Sequence, residues 1–334
     1  MAITTLDGII AGMQTPDEFY KIGAGTQVIG RMYSLAYAVG LPGAMAAPAG
    51  GIQGNALSAY AGSLDWSNPL SGNTYLGRFA AEATNAGTLL LCDRLWQNSG
   101  NSATSSSAQT HTLAISAISV ANPTLITSAS HGQAAGTFRV HITGSNSTPS
   151  IDGSHLATYV DATTFTIPVN VANSGNAGVL YIAIPPRDEF GSYEGDNTML
   201  AYEVSGAMAG GTPTLTATYV NHAGTAGQVT PSITLAASYP VGTFIPFPLA
   251  AGDRGIRAVA THTKNATQNS GTYHLVIYRV LSRVSIIGAA IGGSVDAVTS
   301  GFPRAYTNTV PFLVWVPSST VAPNVSGQVI WTQG

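Results

Sequence analysis

Glycine and proline set the first constraint on this chain: 38 glycines and 18 prolines are scattered through its 334 residues. Such a density argues against a bundle of long helices, since a glycine inside a helix costs roughly 1 kcal/mol and a proline roughly 3 kcal/mol relative to alanine. Hydrophobic residues make up 45% of the sequence, enough for a sizeable core, whereas Asp, Glu, Lys and Arg together supply only 8%. An ordinary soluble domain carries roughly 25% charged residues. Disorder is excluded by this combination, because disordered chains are poor in apolar residues and rich in charge. The side facing water must be made polar by Ser, Thr, Asn, Gln and the backbone.

The formal net charge is −3, and the 12 Lys and Arg residues stand singly. No basic stripe exists to neutralise a run of phosphates, so nucleic acid is not expected as a direct ligand. Two long uncharged stretches, Met32 to Leu64 and Leu95 to Phe138, are respectively broken by Pro42, Pro48 and several glycines, and rich in Ser and Thr. Val284 to Val295 is shorter and broken by Gly288, Gly292 and Gly293. None suits a membrane helix, which needs about 20 mostly apolar residues. Met1-Ala2-Ile3-Thr4-Thr5-Leu6-Asp7 has no basic residue ahead of its apolar ones, so no secretory signal is expected. The single cysteine, Cys92, can form no internal disulfide and has no partner thiol for a zinc site. These features lead to the expectation of a soluble chain made in the cytoplasm.

Residues 1–30 carry the helical signals. Leu6, Ile9, Ile10 and Met13 repeat as one apolar stripe, and Thr15-Pro16-Asp17-Glu18 offers an N-cap, a proline at the first helical position and a capping-box Glu. Two short helices are expected, the second ending by Gly23, forming an arm whose stripe must be buried against something larger. Residues 31–112 are expected to begin a β-sandwich domain, with an Ala/Gly/Pro-rich extended or looping segment followed by strands at Tyr75 to Ala80 and Gly87 to Trp96. Asn98 to Ser107 has the composition of a flexible polar linker.

Residues 113–184 read as a small inserted β module holding only three charges, Arg139, Asp152 and Asp161. In Thr137 to Thr143 the apolar Phe138, Val140 and Ile142 alternate with Arg139, His141 and Thr143, which places His141 outward. Leu156, Thr158 and Val160 are expected on one face, with Phe165, Ile167 and Val169 resuming the buried side after the turn at Asp161-Ala162-Thr163. Residues 185–334 return to the larger β domain, with strands expected at Leu200 to Val204, Thr214 to Val220, Gly255 to Thr261, Tyr273 to Leu281 and Phe312 to Val316. Short strands without helices between them indicate a mainly β, antiparallel, jelly-roll-like β-sandwich, with a small inserted β domain and a short helical N-terminal arm.

The search for chemistry gives weak patterns. There is no Gly-x-Ser-x-Gly, P-loop or His-Glu-x-x-His sequence. Gly23 to Gly30 lacks the spacing and the preceding strand of a dinucleotide loop. Four of the seven histidines, His111, His131, His141 and His155, cluster at the inserted module, but their spacing matches no compact metal site. Arg187, Asp188, Glu189, Glu194 and Asp196 form the densest charged cluster; a carboxylate pair there could serve glycoside cleavage, though a solvated turn after Pro185-Pro186 is the simpler reading. Asp253-Arg254-Gly255-Ile256-Arg257 reads as a charged turn before a strand. Cys92 beside Leu89, Leu90 and Leu91 reads as a buried small hydrophobe. No catalytic residue, cofactor or metal is expected.

The stretches His131-Gly132, Val140 to Gly144, Thr148 to Gly153 and Val160 to Ile167 resemble a small β module found in bacteriophage virion proteins, notably tail fibres and capsid-associated proteins. Gly87 to Trp96, together with the region from Pro185-Pro186-Arg187-Asp188 to Arg257, resembles phage head proteins that accompany the major capsid protein. The resemblance implies a non-enzymatic structural role on the capsid surface of a virion, with the inserted module displayed outward. The partners it implies are the major capsid protein and other copies of the chain, as a trimer, with neither nucleic acid nor membrane. A surface with few ions suits extensive protein contact, because few charges must be desolvated when it is covered. A capsid decoration or cement protein is therefore the expected function. The alternatives are a tail or fibre component that binds host glycan through the Ser/Thr/His face of the module, and a carbohydrate-active enzyme using Asp188, Glu189 and Glu194.

Overall fold

The computed structural model describes residues 5–48, 51–64 and 72–334. The part of the extended segment at 49–50 and 65–68, and the N-terminal residues 1–4 read for a signal, lie outside the described residues. The fold is mainly β, and among the described residues every strand pairing is antiparallel. In chain order the main elements are the helix α1 (Leu6–Ala11) and the strands β1 (Asp17–Ile22), β2 (Met32–Ser34), β3 (Val39–Leu41), β4 (Thr74–Ala83) and β5 (Gly87–Gln97). Then come β6 (Thr112–Ile118), β7 (Thr124–Ser128), β8 (Thr137–Thr143), β9 (Gly153–Tyr159), β10 (Thr164–Ile167) and β11 (Val179–Ile182). The last part of the chain gives β12 (Met199–Ala209), β13 (Thr214–Asn221), β14 (Thr243–Pro246), β15 (Ile256–Lys264), β16 (Ser270–Ile286), β17 (Gly293–Asp296), β18 (Pro311–Pro317) and β19 (Asn324–Gln333).

The centre is built from β12, β14, β2, β18, β5 and β16, each paired with the next, and β16 pairs back onto β12. The pairings close a ring. Its interior holds Leu90, Cys92, Ala201, Phe244, Val276, Tyr278, Phe312 and Val314. Alternation along a strand sends neighbours to opposite faces, so Leu90 and Cys92 point into the ring while Leu89 and Leu91 point out. Those outward leucines, with Leu313 and Trp315, pack on Phe19, Leu76, Phe79, Val325 and Val329 of an outer sheet ordered β17-β4-β19-β1-β3. Burial on both faces explains the apolar run at Leu89 to Cys92.

On the other side of the ring, Leu200, Tyr202, Val204, Tyr273, Leu275 and Ile277 pack against Leu215, Ala217, Tyr219, Ile256 and Val259 of the layer formed by β13 and β15. The architecture is sandwich-like, two sheets covering a closed middle layer. Strands β6 to β11 close a separate small barrel, ordered β7-β10-β9-β8-β11-β6, around Ile126, Phe138, Val140, Ile142, Phe165 and Leu180. Tyr181 and Ala183 then pack with Val220, Ala258 and Ala260 of the adjoining layer.

Three local expectations are corrected. Asp17 to Ile22 is a strand rather than a second helix: Phe19 and Lys21 face the core, Glu18, Tyr20 and Ile22 face out, and β19 supplies the pairing. Asn98 to Ser107 is not a free linker, because Asn101–Ser102 pairs with β16 and Asn98, Ser99 and Ala103 are buried. There the Asn98 side chain accepts from the Leu275 N–H at 2.7 Å and from Asn101 at 3.1 Å, replacing water for buried backbone. In β9 the phase is opposite to expectation: Leu156 is exposed and Ala157 buried beside its strand partner Phe138. A narrow barrel already filled by Phe138, Phe165 and His131, whose rings lie within 6 Å of one another, takes a methyl group there and no more.

Candidate interaction surface

The strongest polar interactions lie inside the ring. Arg94 follows the parity of Leu90 and Cys92 and meets Glu203 of β12 through two hydrogen bonds of 2.6 and 2.7 Å. Its guanidinium is sandwiched between the rings of Tyr60 and Phe312, at 4.5 and 4.6 Å. His274 of β16 donates from Nε2 to Glu203 Oε2 at 2.5 Å, and Gln97 accepts from Arg94 at 3.1 Å. Burial opposes the charge on Glu203, but Arg94 and His274 outweigh it and hold the carboxyl below its usual range. Burial also lowers His274, against the pull of Glu203. Both Glu203 oxygens are occupied, so the arrangement works as an ionic stopper across the barrel.

Asp93, next in the chain, points the opposite way. It accepts from the Val310 N–H at 2.9 Å and lies 3.6 Å from both Arg187 and Arg279. Arg187 also donates to the carbonyls of Leu57 and Arg94, at 2.8 and 3.0 Å. The cluster after Pro185-Pro186 is therefore only partly a solvated turn: Glu189 and Glu194 are exposed, but Arg187 and Asp188 are buried. Asp188 is caged by the N–H groups of Phe190, Ser192, Gly195 and Asp196 and by the Ser192 hydroxyl. Asp253 likewise accepts from Tyr219 at 2.5 Å and Asn221 at 2.7 Å, and Arg257 is buried where it links the Asn221 carbonyl to Ser154 of the small barrel. Arg254 is exposed and pairs with Asp196 at 3.1 Å. Cys92 is fully buried, and burial pushes its thiol up.

The histidines are held by hydrogen bonds within the chain. His111 Nδ1 donates to the Ile52 carbonyl at 2.6 Å, its Nε2 accepts from His262 Nδ1 at 2.8 Å, and His262 Nε2 accepts from the Tyr273 hydroxyl at 2.6 Å. This chain joins the loop at Ile52, the small barrel's entry, β15 and β16. Burial lowers His111 to about 4 and holds His262 well below the ordinary value. His131 is buried and donates to the Asp161 carbonyl at 2.9 Å. His141 is not half-solvated as its outward parity suggested: it is buried, 2.9 Å from Ser154, and burial with Arg257 nearby lowers it to about 4. His155 binds the Ile151 carbonyl at 2.8 Å. Among the described residues no three His, Cys, Asp or Glu side chains converge on a metal position.

Several apolar side chains are left open to a partner. The α1 helix starts at the Thr5 N-cap, whose hydroxyl accepts from the Gly8 N–H, and none of its residues is buried. Leu6 is 65% exposed, Ile10 57% and Met13 42%. At the free edge of the outer sheet the register pairs Tyr20 with Leu41 and Ile22 with Val39, so these four exposed side chains form one outward patch. Gly40 lets this edge close up, because a Cβ there would overlap the Tyr20 carbonyl oxygen. The third opening is the ring's own mouth, a cavity of about 750 Å³ lined by Met32, Thr88, Leu90, Val280, Val316 and Arg283.

Sequence reasoning missed the Arg94–Glu203–His274 stopper and the mouth opposite it. A signal existed: in a chain so poor in ions, Asp93-Arg94 inside Leu-Leu-Leu-Cys-Asp-Arg-Leu-Trp and Glu203 inside Leu-Ala-Tyr-Glu-Val are charges in strands that are otherwise apolar. Such residues almost never become buried unless paired.

No protein-family model matches the sequence, and no curated protein sequence does. Solved structures that align with it include an infectious bursal disease virus VP2 subviral particle, at 10% identity over 81% of this chain and 82% of that one, with a TM-score of 0.12. A D431N mutant VP2 protein of the same virus, in derived T=1 particles, aligns at 11% identity over 99% of this chain and 80% of that one, with a TM-score of 0.14. Scores this low do not establish a common fold. The class defined by the geometry is a layered antiparallel β protein with its buried ion pairs tied into the core and apolar side chains at its arm, edge and mouth.

Proposed function

We propose that this chain is a structural protein of a bacteriophage particle, a decoration or cement protein that binds the major capsid lattice on its outer surface and stabilises the head. The observation that carries this reading is the uncovered, uncharged edge patch of Tyr20, Ile22, Val39 and Leu41. Contiguous apolar patches mark protein contact surfaces, and β3 ends the order of the outer sheet, where a neighbour's backbone can be added. The resemblance of the module at residues 131–167 and of the strand at 87–96 to phage head and fibre proteins supports the same assignment. Covering this surface with other protein stabilises the contact, and few ions must be desolvated to do so.

The test is to mix the purified chain with purified phage heads, pellet the heads and measure the bound copies per particle. Saturable binding in the hundreds per head, with heads more resistant to heat, is the expected result. Binding confined to a handful of copies at the tail would assign the chain to the tail or fibre instead, and absence of binding would remove the virion reading.

A further inference from the structure

The arm and the ring mouth are both left uncovered by their own chain, and they are complementary. The arm, α1 followed by Met13 beyond its C-cap, presents Leu6, Ile10 and Met13 outward and carries one charge, Asp7. The mouth presents Met32, Leu90, Val280 and Val316 and carries one charge of opposite sign, Arg283. A bulge between Val280 and Ser282 shifts the register of β16 so that Arg283 lies opposite the inward-facing Leu90, which brings the guanidinium to the rim. Among the described residues neither Asp7 nor Arg283 has an ion-pair or side-chain hydrogen-bond partner.

The helix does not cover its own mouth. It is tied to the end of β19 by the Thr332 hydroxyl donating to the Ile9 carbonyl at 2.7 Å, the Gln14 N–H to the Trp331 carbonyl at 2.8 Å and the Gln333 N–H to the Gly12 carbonyl at 2.9 Å. That end of β19 pairs with the start of β4, Gln333 with Thr74. The mouth residues Thr88 and Leu90 follow the turn after the other end of β4. Ten residues of strand separate the two levels, roughly 30 Å at the usual rise.

We propose that the arm of one copy, α1 with Met13 just after it, docks Leu6, Ile10 and Met13 in the ring mouth of a second copy, with Asp7 meeting Arg283. The contact is heterologous, head to tail, the kind that closes into a ring when the rotation between copies allows it. It concerns the chain alone and stands or falls independently of the capsid assignment.

The experiment is sedimentation equilibrium and native mass spectrometry of the purified full chain, without any phage component. Concentration-dependent association is expected for the wild type, weakened at least tenfold by Asp7→Arg and by Arg283→Asp separately. The combined reversal should recover most of that loss. All these side chains are exposed, and circular dichroism verifies that each variant is folded; Ile10→Ser offers a charge-independent variant with the same expected loss. A wild type that stays monomeric at every concentration overturns the proposal, as does association indifferent to either reversal or not recovered by the pair. A monomeric chain whose binding to heads is lost in Arg283→Asp would give the mouth to a shell protein, and capture of a small amphiphile seen by native mass would give it to that ligand; either overturns the exchange.

Discussion

Arg94 and Glu203 lie 109 residues apart in sequence and meet through a two-pronged contact of 2.6 and 2.7 Å, both with no solvent exposure. Taking two ions out of water is costly, and their attraction offsets the cost only while both are present. Glu203→Gln should therefore destabilise the fold by about 3–5 kcal/mol, because the buried guanidinium loses its counter-charge. The apolar pair Arg94→Met with Glu203→Leu should cost less than either single change. Urea titration followed by tryptophan fluorescence checks both; a single variant as stable as the wild type would contradict the arrangement.

Acid should weaken the junction around His111. Its imidazole titrates near 4 when folded against 6.5 in an exposed chain, with burial as the main cause and His262 at its Nε2. The unfolded state thus binds the proton first, so this stability is full above about pH 6.5 and is lost as pH falls towards 4. A shift of that size corresponds to at most about 3 kcal/mol. Thermal melts between pH 7 and 4 should show a steep fall in the wild type and a shallower one in His111→Gln, measured relative to each protein's own value at pH 7.

The inward position in β9 can be settled by size. Ala157→Leu, which forces a larger side chain against Phe138, should cost about 1–3 kcal/mol. Leu156→Ser, at an exposed position, should change stability by less than about 0.5 kcal/mol. Chemical denaturation of the two variants distinguishes the phases, since the reverse order would restore Leu156 to the core.

The edge patch should matter for binding and not for folding. Tyr20→Ser combined with Leu41→Ser removes apolar area that is already wet, so the melting temperature should stay within a few degrees. Pelleting with phage heads should show affinity reduced by at least tenfold, on the scale of about 1.4 kcal/mol per decade. Unchanged head binding would move the contact surface elsewhere on the chain.

Much of the β architecture was legible because strand burial leaves a local mark. Phe138, Val140 and Ile142 alternate and all three are buried, and the apolar run Leu89 to Cys92 of β5 is buried on both faces. The errors arose where long-range pairing decides. Thr15-Pro16-Asp17-Glu18 is a sound local helix start, yet residues 17–22 take their hydrogen bonds from residues 324–329, a partner no window of sequence contains. Lys21 shows the same effect: its ammonium reaches the Pro42 carbonyl at 2.6 Å, and burial lowers it to about 8. The turn at Arg187-Asp188 was recognisable from Pro185-Pro186, but its depth depends on Asp93, Leu57 and Arg94 converging from other strands. Ring closure likewise rests on β12 meeting β16, a pairing with no local signature.

The pairing of Asp17 with Val329 joins the first strand to the last. During synthesis at roughly 5–20 residues per second, β1 must wait tens of seconds for its neighbour to leave the ribosome. Until then neither the edge carrying Tyr20 and Ile22 nor the anchorage of α1 at Thr332 exists. A product cut short before that strand has no seat for its arm, so prematurely terminated copies are kept out of any assembly that uses these contacts.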